Sequence, residues 1–236
     1  PSITVSAIDI LRINHLTDRN GLSQNTVRCM LEDSRGFMWM GTINGLNRYN
    51  GREFIVVQPP ENSDITLSDT RIRQLVEDRN GYIWIRTFSN TIVCYDLRTG
   101  AFVSYNSQND SKVFSNILIA SNGDIWLWGT EEFCRIRHTS NGLTSWSSVH
   151  HDLRNQHIWF VYEDSYKKMW IGTNNGLFNI VNNTVTPVFK DQSFFRTHEY
   201  GQYQFFLSDS KIVVFDGLTS SFLSDIHFEK GTTLQP

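Results

Sequence analysis

The chain has 236 residues, of which 39% are hydrophobic and 19% charged, with a formal net charge of −3. That length allows a large domain with a substantial core, and the slightly acidic balance excludes a general attraction to nucleic acid or an anionic membrane. No apolar run reaches the roughly 18–20 residues a spanning helix needs, and no basic n-region leading into an apolar h-region opens the sequence, so no signal peptide is expected within it.

An alternating run at 7–15 reads as a strand with no hairpin partner of its own. Residues 3–15 are therefore expected to pair with the far end of the chain and close a ring. Gly21-Leu22-Ser23 then turns into a unit spanning 21–57. Its predicted strands are 27–32, 37–42, 46–50 and 53–57, joined by an Asp33-x-x-Gly36 turn and by Asn44-Gly45 and Asn50-Gly51, both tight-hairpin signals. The pattern returns at 68–106 (strands 71–77, 82–87, 92–96 and 101–105), 113–149 (114–120, 124–128, 133–137 and 143–149) and 155–190 (157–163, 168–173, 177–181 and 185–189). Beyond Lys190 it weakens. Strands at 202–207, 211–215 and 221–227 suit a reduced fifth unit over 193–230, with Gln204 in the place of the repeated tryptophan.

Each full unit carries one anchor: Trp39, Trp84, Trp126 or Trp170, at steps of 45, 42 and 44 residues. The turn before the third anchor, Ser121-Asn122-Gly123-Asp124, reads as one residue shorter than the others. A repeat of about 40–50 residues made of short strands predicts an all-β fold. The expected architecture is a β-propeller of four-stranded antiparallel blades, about four to five in this chain, as one domain over 1–236 or as a fragment of a larger propeller.

The recurring residues read as scaffold. Asp33 and Asp78 offer acceptors to turn amides, and a catalytic pair should occur once, not in every blade. The four anchors are expected between blades. Cys29, Cys94 and Cys134 lie in strands of three different repeats without C-x-x-C spacing, so neither zinc nor a disulfide framework is expected. His150, His151 and His157 share one connector at no established metal spacing. Arg71, Arg73, Tyr162 and Glu163 do not assemble a sialidase-like site. No catalytic residue, metal or cofactor is expected.

Binding candidates come from breaks in the repeat. Two residues after the anchor, the first and fourth blades have Gly41 and Gly172; the second and third have Arg86 and Trp128. Alternation puts each on the face of its own anchor, and in neighbouring blades Arg86 and Trp128 are expected to approach each other. An arginine beside an aromatic face suits a sugar; the alternative is a structural stack filling the space a glycine leaves. Arg28, Arg73, Asn116 and Trp159 hold matching positions at the start of the first strand, allowing for the shorter third turn. With the connector at 58–70 and His157, they share the rim that carries the hairpins after the second strands. Arg86 and Trp128, then Arg73, Trp159 and His157, are the candidate ligand residues, Trp146 being less placed to join them. The opposite rim, with its short Asp-x-x-Gly turns, is expected to leave little room for specificity.

The segments Gly21-Leu22-Ser23-x-Asn25-x-Val27, Glu32-Asp33-x-x-Gly36-x-x-Trp39-x-Gly41-Thr42 and Asn44-Gly45-Leu46-x-Arg48-Tyr49 resemble the two-component regulator propeller repeat, as do Glu163-Asp164 and Trp170-Ile171-Gly172-Thr173-Asn174-Asn175-Gly176-Leu177. The resemblance covers about residues 10–190. It implies the periplasmic sensor of a Bacteroides-type hybrid two-component system, with an oligosaccharide from a complex glycan as ligand and a homodimer in the full-length receptor. Neither nucleic acid binding nor membrane insertion by this chain is implied, and the kinase domains of such a receptor are absent from it. A propeller that binds another protein, and a glycan hydrolase or lyase, are the competing readings.

Overall fold

The computed structural model describes residues 14–61, 63, 65, 67, 69–103, 114–130, 133–138, 144–148 (backbone), 153, 156–181, 184–219 and 221–227. They form five sheets of four antiparallel strands each, every strand paired with the next in sequence. Blade 1 holds β1 (Val27–Glu32), β2 (Met38–Thr42), β3 (Gly45–Tyr49) and β4 (Phe54–Val57). Blade 2 holds β5 (Ile72–Glu77), β6 (Tyr82–Thr87), β7 (Ile92–Asp96) and β8 (Ala101–Val103). Blade 3 follows with β9 (Asn116–Ile119), β10 (Ile125–Trp128), β11 (Phe133–His138) and β12 (Thr144–Ser148). Blade 4 has β13 (Ile158–Glu163), β14 (Met169–Thr173), β15 (Gly176–Val181) and β16 (Thr184–Lys190). Blade 5 has β17 (Phe194–Tyr200), β18 (Tyr203–Ser208), β19 (Lys211–Asp216) and β20 (Ser221–His227). The fifth unit is thus complete, not reduced. Its first strand escaped the sequence pattern because β17 reads Phe194-Phe195-Arg196-Thr197-His198-Glu199-Tyr200, four polar residues in a row without apolar alternation, and no Asp-x-x-Gly turn follows it. Most of the expected closing strand at 3–15 falls outside the described residues.

Four apolar clusters hold the blades together, and each forms between two sheets. Trp39 and Leu46 of blade 1 pack with Ile72, Ile83, Ile85 and Tyr95 of blade 2. Trp84 of blade 2 packs with Ile117, Leu127 and Ile136 of blade 3. Trp126 of blade 3 joins Ile158, Val161 and Ile171 of blade 4. Trp170 of blade 4 joins Phe194, Phe206 and Val213 of blade 5. Alternation is the cause: on β6 the even-numbered Trp84 faces forward, and the odd-numbered Ile83 and Ile85 face back. Full burial of such a side chain contributes on the order of 2–3 kcal/mol.

The anchors are also fastened at one end. Asp33 accepts from the amides of Arg35 and Phe37 at 2.9 Å and from the Trp39 indole at 2.7 Å. Asp78 does the same for Asn80, Tyr82 and Trp84, and Asp164 for Tyr166, Lys168 and Trp170. Blade 3 departs from this. There the amide of Ala120 donates to the Asp124 carbonyl and Gly123 to the Ala120 carbonyl, as Asp33 pairs with Phe37 and Gly36 with Asp33. The third turn is therefore as long as the others, and Ala120 stands where the aspartate should be. The Trp126 indole nitrogen is accordingly buried without a partner, and Arg135 lies 5.4 Å from its ring centroid. The sequence suggested a shorter turn because no aspartate marks its start.

Blade 5 corrects a second alignment. The Ser208 hydroxyl donates to the Lys211 carbonyl as Thr42 does to Gly45 and Thr173 to Gly176. That register puts Phe205, half-buried, in the anchor position, while Gln204 is fully buried at the neighbouring one.

Candidate functional site

The first strands of adjacent blades touch, β1 with β5 and β13 with β17, so the starts of these strands gather on one rim with the hairpins after each second strand. Four of these starts carry a β-bulge at matching places, that of β17 leaving Phe195 extra. Val27 pairs with Thr42 and Cys29 with Gly41, leaving Arg28 extra. Arg73 is the extra residue in β5, and Trp159 in β13. A bulge re-aims a side chain at a strand end. Asn116 does not belong to this set. It pairs with Trp128, which makes Ser115 the equivalent residue once the third turn is given its full length.

Phe88 is the hub of the blade 2 corner. The guanidinium carbons of Arg28 and Arg73 lie 5.5 Å from its ring centroid, and that of Arg71 lies 5.7 Å away. Arg71 is neutralised by Asp69, at 2.9 Å; the Arg71 side chain holds the Asp69 carboxyl well down, at about 2. Arg28 and Arg73 are exposed, and among the described residues neither has a carboxylate partner. Cation–π contact stabilises each by about 0.5–1 kcal/mol at an exposed site, and the corner keeps a net positive field.

Arg86 lies beneath. It is buried, donates to the Ser115 carbonyl of blade 3, and has its Nε without a partner. Burial and then the charge of Arg73 pull its pKa down to about 10, so it stays cationic at neutral pH. Trp128 is also buried, in the blade 3–4 cluster beside Ile158 and Phe133. The two side chains were expected to approach each other, and they do not. Each faces forward from its own blade, so they occupy successive interfaces, linked through Ser115, whose amide donates to the Trp128 carbonyl at 2.9 Å. The glycine positions explain the exchange. A Cβ on Gly41 would lie 2.6 Å from Ile72, and one on Gly172 would lie 2.5 Å from the Phe194 carbonyl. Blades 2 and 3 fill that gap with a guanidinium and an indole.

His157 and Trp159 form the blade 4 corner, with ring centroids 4.0 Å apart and planes at 53°. Both are half-buried, and the His157 amide is held by the Asn174 side chain at 2.9 Å. The Trp159 indole nitrogen has no partner. Two cavities open on this rim: about 280 Å³ beside Asn44, Val57, Gln58 and Thr70, and about 240 Å³ beside Gln156, Asn175, Lys190 and Asp191. Neither is lined by any of the five sequence candidates. His150 and His151 lie outside the described residues, as does the side chain of Trp146.

Tyr162 and Glu163 have structural work. Tyr162 donates to Glu199 of blade 5, and Glu163 accepts from the Ser121 amide and hydroxyl of blade 3 at 2.7 and 2.6 Å. Burial, followed by the Glu199 carboxylate, raises the Tyr162 pKa, the reverse of what an activated phenol needs. Among the described residues no group of three or more His, Cys, Asp or Glu could hold a metal ion, and no helix is long and apolar enough to cross a membrane.

Five sheets joined face to face through interblade tryptophans, with the first strands of blades 1 and 2 and of blades 4 and 5 in contact, define a β-propeller. The family model of the two component regulator propeller matches residues 21–44, 66–89 and 152–175, so the chain carries that repeat in blades 1, 2 and 4. No curated protein matches the sequence. The fold is similar to the extracellular domain of a hybrid two-component system of B. thetaiotaomicron, at a TM-score of 0.60 and 17% identity, over 89% of this chain and 31% of that one. It is also similar to PorZ, a surface component of the type-IX secretion system of Porphyromonas gingivalis (TM-score 0.55, 15% identity, 86% and 34% covered). A third likeness is to virginiamycin B lyase of Staphylococcus aureus (TM-score 0.54, 16% identity, 86% and 70% covered). The chain therefore spans about a third of the length of the first two, at 31% and 34%.

Proposed function

We propose that this chain is a ligand-binding part of the extracytoplasmic, periplasmic sensor of a hybrid two-component system, and that it binds an oligosaccharide without transforming it. The observation that carries the reading is the match of three blades to the regulator-propeller repeat. The likeness to the extracellular domain of such a system supports it.

The ligand surface is the rim of the bulged strands. Arg73 and Arg28, spread around Phe88, attract an acidic group, and Trp159 with His157 gives a sugar an aromatic face and a hydrogen-bonding edge. Arg86 and Trp128 act from below by fixing the position of Ser115 between them. Aromatic stacking contributes about 1 kcal/mol, and a charge-assisted contact about 1.5–3 kcal/mol. Binding would shift the geometry relayed onward to a kinase.

A thermal-shift screen against glycan-derived oligosaccharides tests this, because a ligand of the native state raises Tm by mass action. An acidic oligosaccharide should raise Tm, and Arg73→Ala and Trp159→Ala should each reduce the shift without lowering the Tm of the free protein. Full shifts in both variants would remove this rim from consideration. Turnover of the oligosaccharides by the purified chain would instead favour an enzyme, in keeping with the lyase that shares the fold.

A further inference from the structure

A carboxylate crosses three of the four blade interfaces at the same place. Glu77 of blade 2 accepts from the Ser34 amide of blade 1 at 2.8 Å. Glu163 of blade 4 accepts from the Ser121 amide at 2.7 Å. Glu199 of blade 5 accepts from the Ser165 amide at 3.2 Å. In each case the donor follows the turn's first residue, and the acceptor lies opposite the residue before the anchor position: Met169 for Glu163, Ile83 for Glu77 and Gln204 for Glu199. Between blades 2 and 3 the pattern fails. The acceptor position, opposite Ile125, is Ile119, and the donor position is Arg79, whose amide has no partner among the described residues.

At that interface a cleft of about 490 Å³ opens on the rim of the Asp-x-x-Gly turns, lined by Arg79, Asn80, Asn122, Asp124, Arg137 and His138. The expectation that this rim leaves little room is thus wrong at this one interface, where the bridging glutamate is missing. The charges in the cleft do not cancel. Asp124 is taken by Arg137 at 2.6 Å, with Arg135 at 3.7 Å. His138 Nε2 pairs with Asp78 at 2.8 Å, while its Nδ1 is buried without a partner. Arg79 is exposed with no carboxylate in reach among the described residues. The cleft therefore offers a free amide, a free guanidinium and the exposed Asn80 side chain.

We propose that this cleft binds a sugar acid, whose carboxylate takes the place that glutamate fills at the other interfaces. The Arg79 amide and guanidinium hold the carboxylate, and the Asn80 side chain meets a ring hydroxyl. The volume lies within the roughly 300–1,000 Å³ of small-molecule sites. The site is on the opposite rim from the surface proposed above and does not depend on it.

The test is titration of the isotopically labelled protein with glucuronate, followed by amide NMR shifts, with glucose and acetate as separate arms. Glucuronate should saturate and move the amides of residues 79, 80, 122 and 123; glucose should not. Arg79→Ala should weaken binding by about tenfold or more, as expected for one charge-assisted contact. Ile119→Glu supplies the missing carboxylate from within and should abolish glucuronate binding while raising Tm. The proposal is overturned if glucuronate behaves as glucose does, if Arg79→Ala binds it unchanged, or if the shifts gather around Phe88 and Trp159. Acetate binding as tightly as glucuronate would overturn the sugar assignment. Should Ile119→Glu fail to fold, the exposed Arg79→Ala decides.

Discussion

Removing the Asp164 carboxylate should destabilise the propeller by about 2–4 kcal/mol. Its Oδ1 accepts from the amides of Tyr166 and Lys168, each at 2.9 Å, and its Oδ2 from the Trp170 indole, also at 2.9 Å. The side chain is 2% exposed, so water does not replace these bonds in Asp164→Ala. A hydrogen bond to a charged group is worth about 1.5–3 kcal/mol, and relief of the buried charge offsets part of the sum of three. Asp164→Asn keeps an acceptor for two amides but turns an NH2 toward the indole, and should fall between the two. Urea denaturation gives the difference directly, and melting should drop by about 5–15 °C for a domain of this size. Blade 3 supplies the reverse experiment. Ala120→Asp offers acceptors to Asn122, Asp124 and the orphaned Trp126 indole, and should stabilise by about 1 kcal/mol after the Asn122 bond to the Asp124 amide is lost. A loss under about 1 kcal/mol for Asp164→Ala would refute the reasoning, since the indole and turn would then be held by packing alone.

Trp84→Ala should cost about 3–5 kcal/mol, because the indole is fully buried between blades 2 and 3; a soluble variant with unchanged Tm would contradict the interblade core. Lys167, at φ 68°, sits where Gly36, Gly81 and Gly123 have positive φ in the other turns. Lys167→Gly should therefore stabilise by a few tenths to about 1 kcal/mol, the left-handed cost less the entropy of glycine, read by the same denaturation. The Cys29 thiol is pushed up to about 11 by burial, so its alkylation rate should stay low at pH 8 and climb only as pH nears 11. The sign for stability follows. The folded state holds this proton more tightly than the unfolded one, whose ordinary value is 9.0, so the contribution is complete below pH 9 and is lost as pH rises toward 11. Melting that stays constant across that range would dissociate Cys29 from the interface.

What the sequence disclosed was whatever the repeat states explicitly. The strands of blades 1 to 4 follow from alternation between Gly-marked hairpins, and the burial of all four anchors follows from their period. Two errors share one origin. The third turn looked short because Ala120 carries no carboxylate to mark it, and blade 5 looked incomplete because its first hairpin, Tyr200 opposite Tyr203, has neither aspartate nor tryptophan. Hydrogen bonds of the main chain preserve the register in both places, and side-chain spelling does not reveal them. The site was half legible. Equivalence by counting found Arg28, Arg73 and Trp159, yet not that each is a bulge, since a bulge is a property of the pairing. Phe88 carried no signal, because only the fold brings Arg28 from another blade against it.

The repeat also explains where function has room to enter. A position repeated in every blade is constrained by two neighbours at once: the sheet it belongs to and the sheet it faces. Asp33, Asp78 and Asp164 each close a turn and fasten an anchor; Glu77, Glu163 and Glu199, each at or next to the end of a first strand, hold the preceding blade. Changing such a residue opens an interface unless something else fills it. At Arg86 and Trp128 the larger side chain fills the gap from within, and the result is a buried, closed contact. At Ile119 the apolar replacement cannot satisfy the Arg79 amide, and a polar cleft is left on the surface. Exceptions of the first kind close an interface, and those of the second kind leave a polar cleft. The distinction rests on whether the substituted atom leaves a donor unmatched, which is why the Ile119→Glu exchange separates a vacancy meant for a ligand from a mere fault in the scaffold: the glutamate should both stabilise the interface and exclude the sugar acid.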